Sequence, residues 1–276
     1  MSQSLSFSNL RKIASEIRYQ IIEMSKVGKA PHLGSSLSCV DLVVAAYYAF
    51  LQIDSGNPNH RLRDRFILSK GHAITTLYAI LAKKGFFPTE LLKTFNKDGG
   101  SLPEHPSPHC VPGIEMATGS LGHGLSVGIG QALAGRILEE NYRVMVLLSD
   151  GECNEGSVWE AAMFAPARKI DNLIAIVDFN KWQATGKSEE IMQLSPLKEK
   201  WSAFGWQTYE IDGNDMEQIV DVFSKIPEVS GKPTAIIAHT VKGKGVSFME
   251  DDNNWHYRIP NDEELAKAKN ELGIFS

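Results

Sequence analysis

The apolar positions of the chain follow two periodicities that alternate along it. Leu10, Ile13, Ile17, Ile21 and Ile22 share one helical stripe, and helical character returns at residues 40–51 and 72–84, with a short strand at Arg65–Leu68 between them. Residues 144–148 and Leu173–Phe179 are apolar runs without alternation, the pattern of strands covered on both faces and therefore of a parallel sheet. Between them residues 158–169 have the length and spacing of a crossover helix, and 122–140 form an Ala/Gly/Leu helix ahead of the first run. Strands at 208–211 and 235–240 follow, separated by a helix near 216–225, and residues 261–272 are helical and highly charged. The order predicts an α/β fold, an open and mostly parallel sheet with helices on both faces.

Composition adds limits. A chain of 276 residues with 43% hydrophobic content buries a sizeable core. Without a repeat, low-complexity tract or Gly/Ser linker, residues 1–276 read as one domain, with 261–276 a surface or interface helix. The net charge is -5 and no Lys/Arg run is present, so nucleic acid is not an expected partner. No apolar run has membrane-spanning length and the N-terminus lacks the pattern of a secretory signal, which makes a cytoplasmic location the expectation. Cys39, Cys110 and Cys153 are scattered and form no CxxC pair, suggesting neither a disulfide framework nor a zinc site.

The stretch Ser149-Asp150-Gly151-Glu152-Cys153-Asn154-Glu155-Gly156 lies between an apolar strand and a helix, where an open parallel sheet places its ligands. A carboxylate there suits Mg²⁺, which takes oxygen ligands and combines one or two protein carboxylates with substrate phosphates. The next apolar strand ends at Asn180, one strand-helix-strand unit further on, so the carboxylate of Asp150 and the amide oxygen of Asn180 can share one ion. Each alone also reads as a turn or cap residue; together, at neighbouring strand ends, they favour a metal.

This segment resembles the diphosphate-binding motif of thiamine diphosphate enzymes, which begins Gly-Asp-Gly and closes with an Asn; Ser149 stands for the first Gly. Within that group the chain is most similar to transketolases, from about residue 10 to residue 260. Ala30-Pro31-His32-Leu33-Gly34 resembles the family's Gly-His-Pro-Gly, with Leu33 where Pro is usual, and Glu104-His105-Pro106 resembles its Gly-His-Pro. Ser69-Lys70-Gly71-His72 resembles Ser-x-Gly-His. Gly119-Ser120-Leu121-Gly122-His123-Gly124 resembles Gly-Pro-Leu-Gly-Gln-Gly, with His123 at the Gln position and its role open. Residues 242–249, followed by Asn254-Trp255-His256, resemble the last segment of the family's first domain.

The resemblance implies thiamine diphosphate and Mg²⁺, with Ca²⁺ or Mn²⁺ able to substitute, and transfer of a two-carbon ketol unit from a ketose to an aldose. It implies Asp150, Asn180 and the Trp182 carbonyl as metal ligands, a role in which the Trp182 side chain matters less. It implies His72, Gly119, Ser120, Leu121, Ser149, Gly151 and His256 around the diphosphate, His32, His105 and His256 facing the sugar, and Glu155 at a dimer interface. His60, His109 and His239 match no motif and read as surface residues. In the family the Glu that activates the cofactor and the groups that bind the sugar phosphate belong to a second domain. The chain ends at Ser276 before one could begin. The expectation is therefore a separate C-terminal transketolase subunit, in an α2β2 heterotetramer acting on sugars or sugar phosphates. The ketose, and whether its anion is phosphate or sulfonate, stay open. Other readings are a different thiamine diphosphate reaction (deoxyxylulose-phosphate synthesis or 2-oxo acid decarboxylation) and a non-catalytic cofactor-binding module. A dinucleotide dehydrogenase ranks low because no GxGxxG follows a strand.

Overall fold

A computed structural model describes residues 5–275; residues 1–4 and 276 of the expected 1–276 domain lie outside the described part. Five strands, β1 (Arg65–Leu68), β2 (Val144–Ser149), β3 (Leu173–Phe179), β4 (Gln207–Asp212) and β5 (Thr234–His239), form one sheet in the order β1-β2-β3-β5-β4. Every neighbouring pair is parallel. The three central strands are buried along their whole length or nearly so, as their unalternated sequences require.

Because successive side chains leave a strand on opposite faces, β1, β2, β3 and β5 each feed two cores, while the edge strand β4 adds Ile211 to one. Phe66, Leu68, Met145, Leu147, Ile174, Ile176, Ile236 and Ala238 point to one face. There they meet α1 (Phe7–Gly28), α2 (Leu33–Ser38), α3 (Val40–Ala45) and α4 (Ile74–Lys83). Ile67, Val144, Val146, Leu148, Ala175, Val177, Ala235 and Ile237 point to the other. That face is covered by α5 (Gly124–Ile137), α6 (Gly156–Ala167) and α8 (Leu197–Ala203), the last preceded in the chain by the short α7 (Ser188–Ile191). The first face is completed by α9 (Met216–Ser224), capped by Asp215, and by α10 (Asp262–Glu271), whose Asn261 and Glu264 form a capping box. α10 is mostly exposed, with Ala268 its buried contact.

Some elements depart from the periodicity. The helix expected over 40–51 is α3 followed by a π-helical turn at Ala46–Phe50. Residues 180–204 show no apolar repeat, yet they hold α7 and α8; with only 4 and 7 residues, these helices are too short to display one. Leu173–Phe179 is not wholly apolar in role either, because its Asp178 is fully buried in β3. Among the described residues all three cysteines are free thiols, and no helix is long and apolar enough to cross a membrane.

α5 approaches β2 closely through Gly128, where a Cβ would come within 2.6 Å of Val146 Cγ2. Gly128→Ala therefore forces the helix off the sheet and is expected to lower stability by roughly 1–3 kcal/mol, read as a lower denaturant midpoint at unchanged m-value.

Candidate active site

The strand register brings four carboxyl ends to one edge. Leu68 pairs with Leu147, Ser149 with Asp178, and Phe179 with His239, so Lys70, Asp150, Asn180 and Thr240 emerge side by side. Asp150 is 1% exposed. Its Oδ1 accepts from Gly151 N at 2.8 Å, and its Oδ2 accepts from Lys181 N and Ser188 Oγ, each at 2.8 Å. Asn180 Oδ1 accepts from Trp182 N at 3.1 Å, and among the described residues no backbone N–H donates to the Trp182 carbonyl. One carboxylate and one amide oxygen thus lie at neighbouring strand ends, and the residue with the free carbonyl lines the same cleft.

This set suits a hard cation that keeps places for phosphate oxygens and water. Among the described residues no three His, Cys, Asp or Glu side chains group to hold a metal by themselves. Burial raises the Asp150 carboxyl to about 6, against the lowering bond from Ser188 and with Asp178 adding to the rise. Since burial, first of all, opposes its ionisation even with Lys70 nearby, a divalent cation bound there would restore its charged form.

Below it lies a buried ion pair that the sequence reading did not single out. Lys70 Nζ donates to Asp178 Oδ2 and, at 2.9 Å, to the Ser35 carbonyl, and both side chains are 0% exposed. Asp178 also accepts from Ser38 Oγ at 2.6 Å and from Thr240 Oγ1. Burial works against the Lys70 charge, but Asp178, with Asp150 and other neighbours adding to it, holds the ammonium above its ordinary value.

Above the ion pair, four histidines line a cleft of about 370 Å³ together with Gly119, Leu121, Ser149, Asp150, Gly151, Asn180 and the Trp182 loop. The His32 ring lies 5.4, 6.1 and 4.9 Å from those of His72, His105 and His256. His32 has φ 69, a left-handed conformation rare for a side chain of its size, and is held by its N–H donating to the His256 carbonyl at 2.6 Å. Its Nδ1 is buried, 3.7 Å from Glu104, with no hydrogen-bond partner among the described residues. Burial first, then His105, Lys242 and Lys70, lowers its pKa to about 4. Burial and then Lys242 lowers His256 to about 3, and burial with Lys70 lowers His72 well below its ordinary value. At neutral pH these three rings are uncharged.

Lys242 closes the group. It is fully buried, donates to Asn253 Oδ1 at 2.6 Å and lies 3.2 Å from His256 Nδ1. Burial, then the Lys70 charge, lowers it to about 8, so it is still mainly an ammonium at pH 7. As a donor it leaves His256 Nδ1 to accept, which assigns the ring proton to Nε2.

The glycine loop supplies the remaining wall. Gly119 has φ 135, and a Cβ there would meet His105 Cδ2 at 2.6 Å, so only glycine lets the imidazole lie on the backbone. Glu152, buried at the end of β2, accepts from Ser69 Oγ, from Gly122 N at 2.9 Å and from Ser149 N at 3.2 Å, tying the loop to two strand ends. Of the residues expected from the motifs, Ser120, His123 and Glu155 are exposed and outside the cleft lining. His123 caps the start of α5 without a side-chain bond. His60 and His109 are exposed, and His239 pairs at the surface with Glu210 at 2.7 Å.

The residues the motifs did not single out for a role, Lys70, Asp178, Glu152 and Lys242, share one signal. Each is a charged residue in a segment that packs as interior: Asp178 in an apolar strand, Glu152 after one, Lys70 and Lys242 just beyond strand ends. A charge buried there must be paired, and the pairing cannot be read until the fold brings the strands together.

Three kinds of comparison agree. Residues 10–276 match the family model described as transketolase, thiamine diphosphate binding domain. The chain is 42% identical over 255 residues to an apulose-4-phosphate transketolase subunit from Phocaeicola vulgatus, covering 92% of this chain and 90% of that one. It is 46% identical over 246 residues to the 6-deoxy-6-sulfo-D-fructose transketolase subunit SqwG of Clostridium sp., covering 89% of each. Among solved structures, transketolase from Leishmania mexicana superposes with a TM-score of 0.91 at 27% identity over 96% of this chain and 41% of that chain. The chain thus spans about two fifths of that longer protein.

Two outcomes follow from the geometry. Lys70→Met leaves Asp178 buried without its cation and is expected to cost about 3–5 kcal/mol, whereas pairing it with Asp178→Leu restores much of the loss; urea unfolding of the single and double variants checks this. The histidines set an acid limit. A ring whose folded pKa lies below its ordinary 6.5 binds less proton folded than unfolded, so its contribution is intact above 6.5 and is lost as pH falls towards about 3 for His256. Unfolding free energy should therefore fall less steeply below pH 6.5 in His256→Gln than in the unaltered chain.

Proposed function

The chain belongs to the transketolase family through its thiamine diphosphate binding domain, and on that premise we propose that it is the cofactor-anchoring subunit of a two-chain transketolase. The observation that carries this reading is the shared edge on which Asp150 and Asn180 face four histidines across one cleft. Relatives that the chain matches over about nine tenths of their length are named as subunits, and the longer solved transketolase is matched over two fifths. Both facts support a separate chain completing each site; in this reading the assembly holds two copies of each.

In this reading Asp150, Asn180 and the Trp182 carbonyl hold Mg²⁺, with Ca²⁺ or Mn²⁺ able to substitute. Ser149, Gly151, the 119–121 backbone, His72 and His256 surround the diphosphate, and residues 1–276 act as one diphosphate-binding domain. Thiamine diphosphate, when bound, supplies the nucleophilic carbon for breaking and remaking a carbon–carbon bond beside a ketose carbonyl. The protein supplies position and protons. His32, uncharged and lining the cleft, would bind a sugar hydroxyl through its cleft-facing ring and pass a proton. His105, on the solvent side of the same group, orients the substrate against Gly119, and His256, with its proton on Nε2, donates from that atom.

The donor is a ketose and the acceptor an aldose. The relatives are named for apulose-4-phosphate and for 6-deoxy-6-sulfo-D-fructose; the terminal anion differs between those names, while the ketose end that His32 and His105 would face is common. Glu155, exposed at the start of α6, lies at an interface between copies.

The test combines binding and turnover. Calorimetric titration with thiamine diphosphate and Mg²⁺ should show binding to the chain that Asp150→Ala loses. Ketol transfer should require the second subunit, supplied by co-expression; robust turnover by this chain alone would sink the two-chain reading.

A further inference from the structure

Trp182 enters the proposed site through its carbonyl oxygen, but its side chain is held as firmly as its backbone. The indole N–H donates to Asp251 Oδ1 at 2.6 Å, and Lys187 Nζ donates to the same oxygen at 2.9 Å. The Lys187 ammonium also lies 3.9 Å from the centre of the Trp182 ring, within the range of a cation–π contact.

These contacts secure one side of a tight hairpin. Gln183 N donates to the Gly186 carbonyl at 2.8 Å, Ser188 N donates to that of Lys181 at 3.0 Å, and Trp182 faces Lys187 in an antiparallel bridge. At its base the hairpin is docked on Asp150 Oδ2, through Lys181 N and Ser188 Oγ. Its other side is docked on a different segment. Besides Asp251, Asn253 Nδ2 donates to the Ala184 carbonyl at 3.1 Å while Asn253 Oδ1 accepts from Lys242. Asp251 takes the left-handed φ of 56, and its N–H donates to the Lys242 carbonyl at 2.9 Å. The chain thus accepts an unfavourable backbone conformation to aim this carboxylate at the hairpin.

We infer that Asp251, Lys187 and the Trp182 indole form a latch that positions the Trp182 carbonyl for the divalent cation, so that Asp251 and the Trp182 side chain are positioning residues of the cation site. The inference rests on the reading that Asp150, Asn180 and Trp182 hold the ion. On their own, Asp150, the Asn180 Oδ1 bond from Trp182 N and the Asn253 bond to the Ala184 carbonyl hold the hairpin by its backbone and leave the Trp182 side chain free to swing its own peptide plane. The latch fixes the direction of the one protein ligand that no side-chain rotamer controls. An exposed ion pair such as Lys187–Asp251, with side chains 37% and 66% exposed, contributes at most about 1 kcal/mol to folding. The latch therefore acts on cation affinity rather than on stability. The expectation that the Trp182 side chain matters little is revised accordingly.

The experiment is a calorimetric titration of Mg²⁺ into the full chain at saturating thiamine diphosphate, with melting temperatures measured in parallel without Mg²⁺. Asp251→Ala and Trp182→Leu should each weaken Mg²⁺ about tenfold or more, as loss of an outer-shell partner does, with melting temperatures unchanged; Asp251→Glu should recover part of the loss. Mg²⁺ affinity within twofold of the unaltered chain in Asp251→Ala, while Asp150→Ala abolishes binding, overturns the latch and leaves the cation site standing. Equal Mg²⁺ affinity in Asp150→Ala and the unaltered chain overturns both. A fall in Mg²⁺ affinity matched by a fall in melting temperature marks a folding effect and also overturns the latch.

Discussion

The Lys70–Asp178 ion pair is the constraint around which the carboxyl edge of the sheet is organised. Two full charges at 0% exposure carry a large desolvation penalty, and the fold offsets it by converging on them. The Ser35 carbonyl and Ser38 hydroxyl of α2, the Thr240 hydroxyl after β5 and the strand β3 itself all direct their polar atoms there. In doing so they fix where α2 begins, and therefore where His32 stands at its entry. The pair also sets the potential of the cleft floor. Lys70 lowers the pKa of His32, His72, His256 and Lys242, while Asp178 raises that of Asp150. A well-packed apolar pair would hold the strands as well; it would not supply this charge pattern.

That pattern separates the cleft into two chemical regions. On the strand ends, Asp150, Asn180 and a free carbonyl gather oxygen ligands around a carboxyl that burial has made reluctant to ionise alone. Across from them, three imidazoles are kept neutral by burial and by positive neighbours. A neutral ring can both donate and accept, which an imidazolium cannot. Neutral rings also avoid repelling a second cation brought in with a phosphate. The arrangement suits a ligand that is anionic at one end and polyhydroxylated where bond-making occurs.

Much of this was legible in the sequence because it lies where regular structure is strongest. The unalternated runs ending at Ser149 and Phe179 required buried parallel strands, and those strands placed Asp150 and Asn180 on one edge. Motif spacing brought His32, His72, His105 and His256 to the same cleft. It did not do so for Ser120, His123 and Glu155, which follow or precede cleft residues by one or a few positions in turns where consecutive side chains diverge. Lys70, Asp178, Glu152 and Lys242 were missed for another reason. Their meaning lies in partners 30 to 108 residues away or in burial that no local pattern reports. The α7–α8 stretch was missed because helices of 4 and 7 residues carry no repeat.

The rigid and compliant parts of the site differ in kind. Asp150 and Asn180 continue strands whose backbone bonds run in register through the sheet, so their positions are set by the core. The Trp182 hairpin has no sheet or long helix behind it and is held by side-chain bonds from Asp150, Asp251 and Asn253, whereas the 250–257 segment is pinned by Trp255 in the core and the glycine loop runs into α5 and is tied by Glu152. A hairpin tied only by such bonds depends on each of them more than a core strand does. The Asp150 and Asn180 side chains are therefore fixed by the core, and the Trp182 carbonyl by the bonds that tie its hairpin to them and to Asp251.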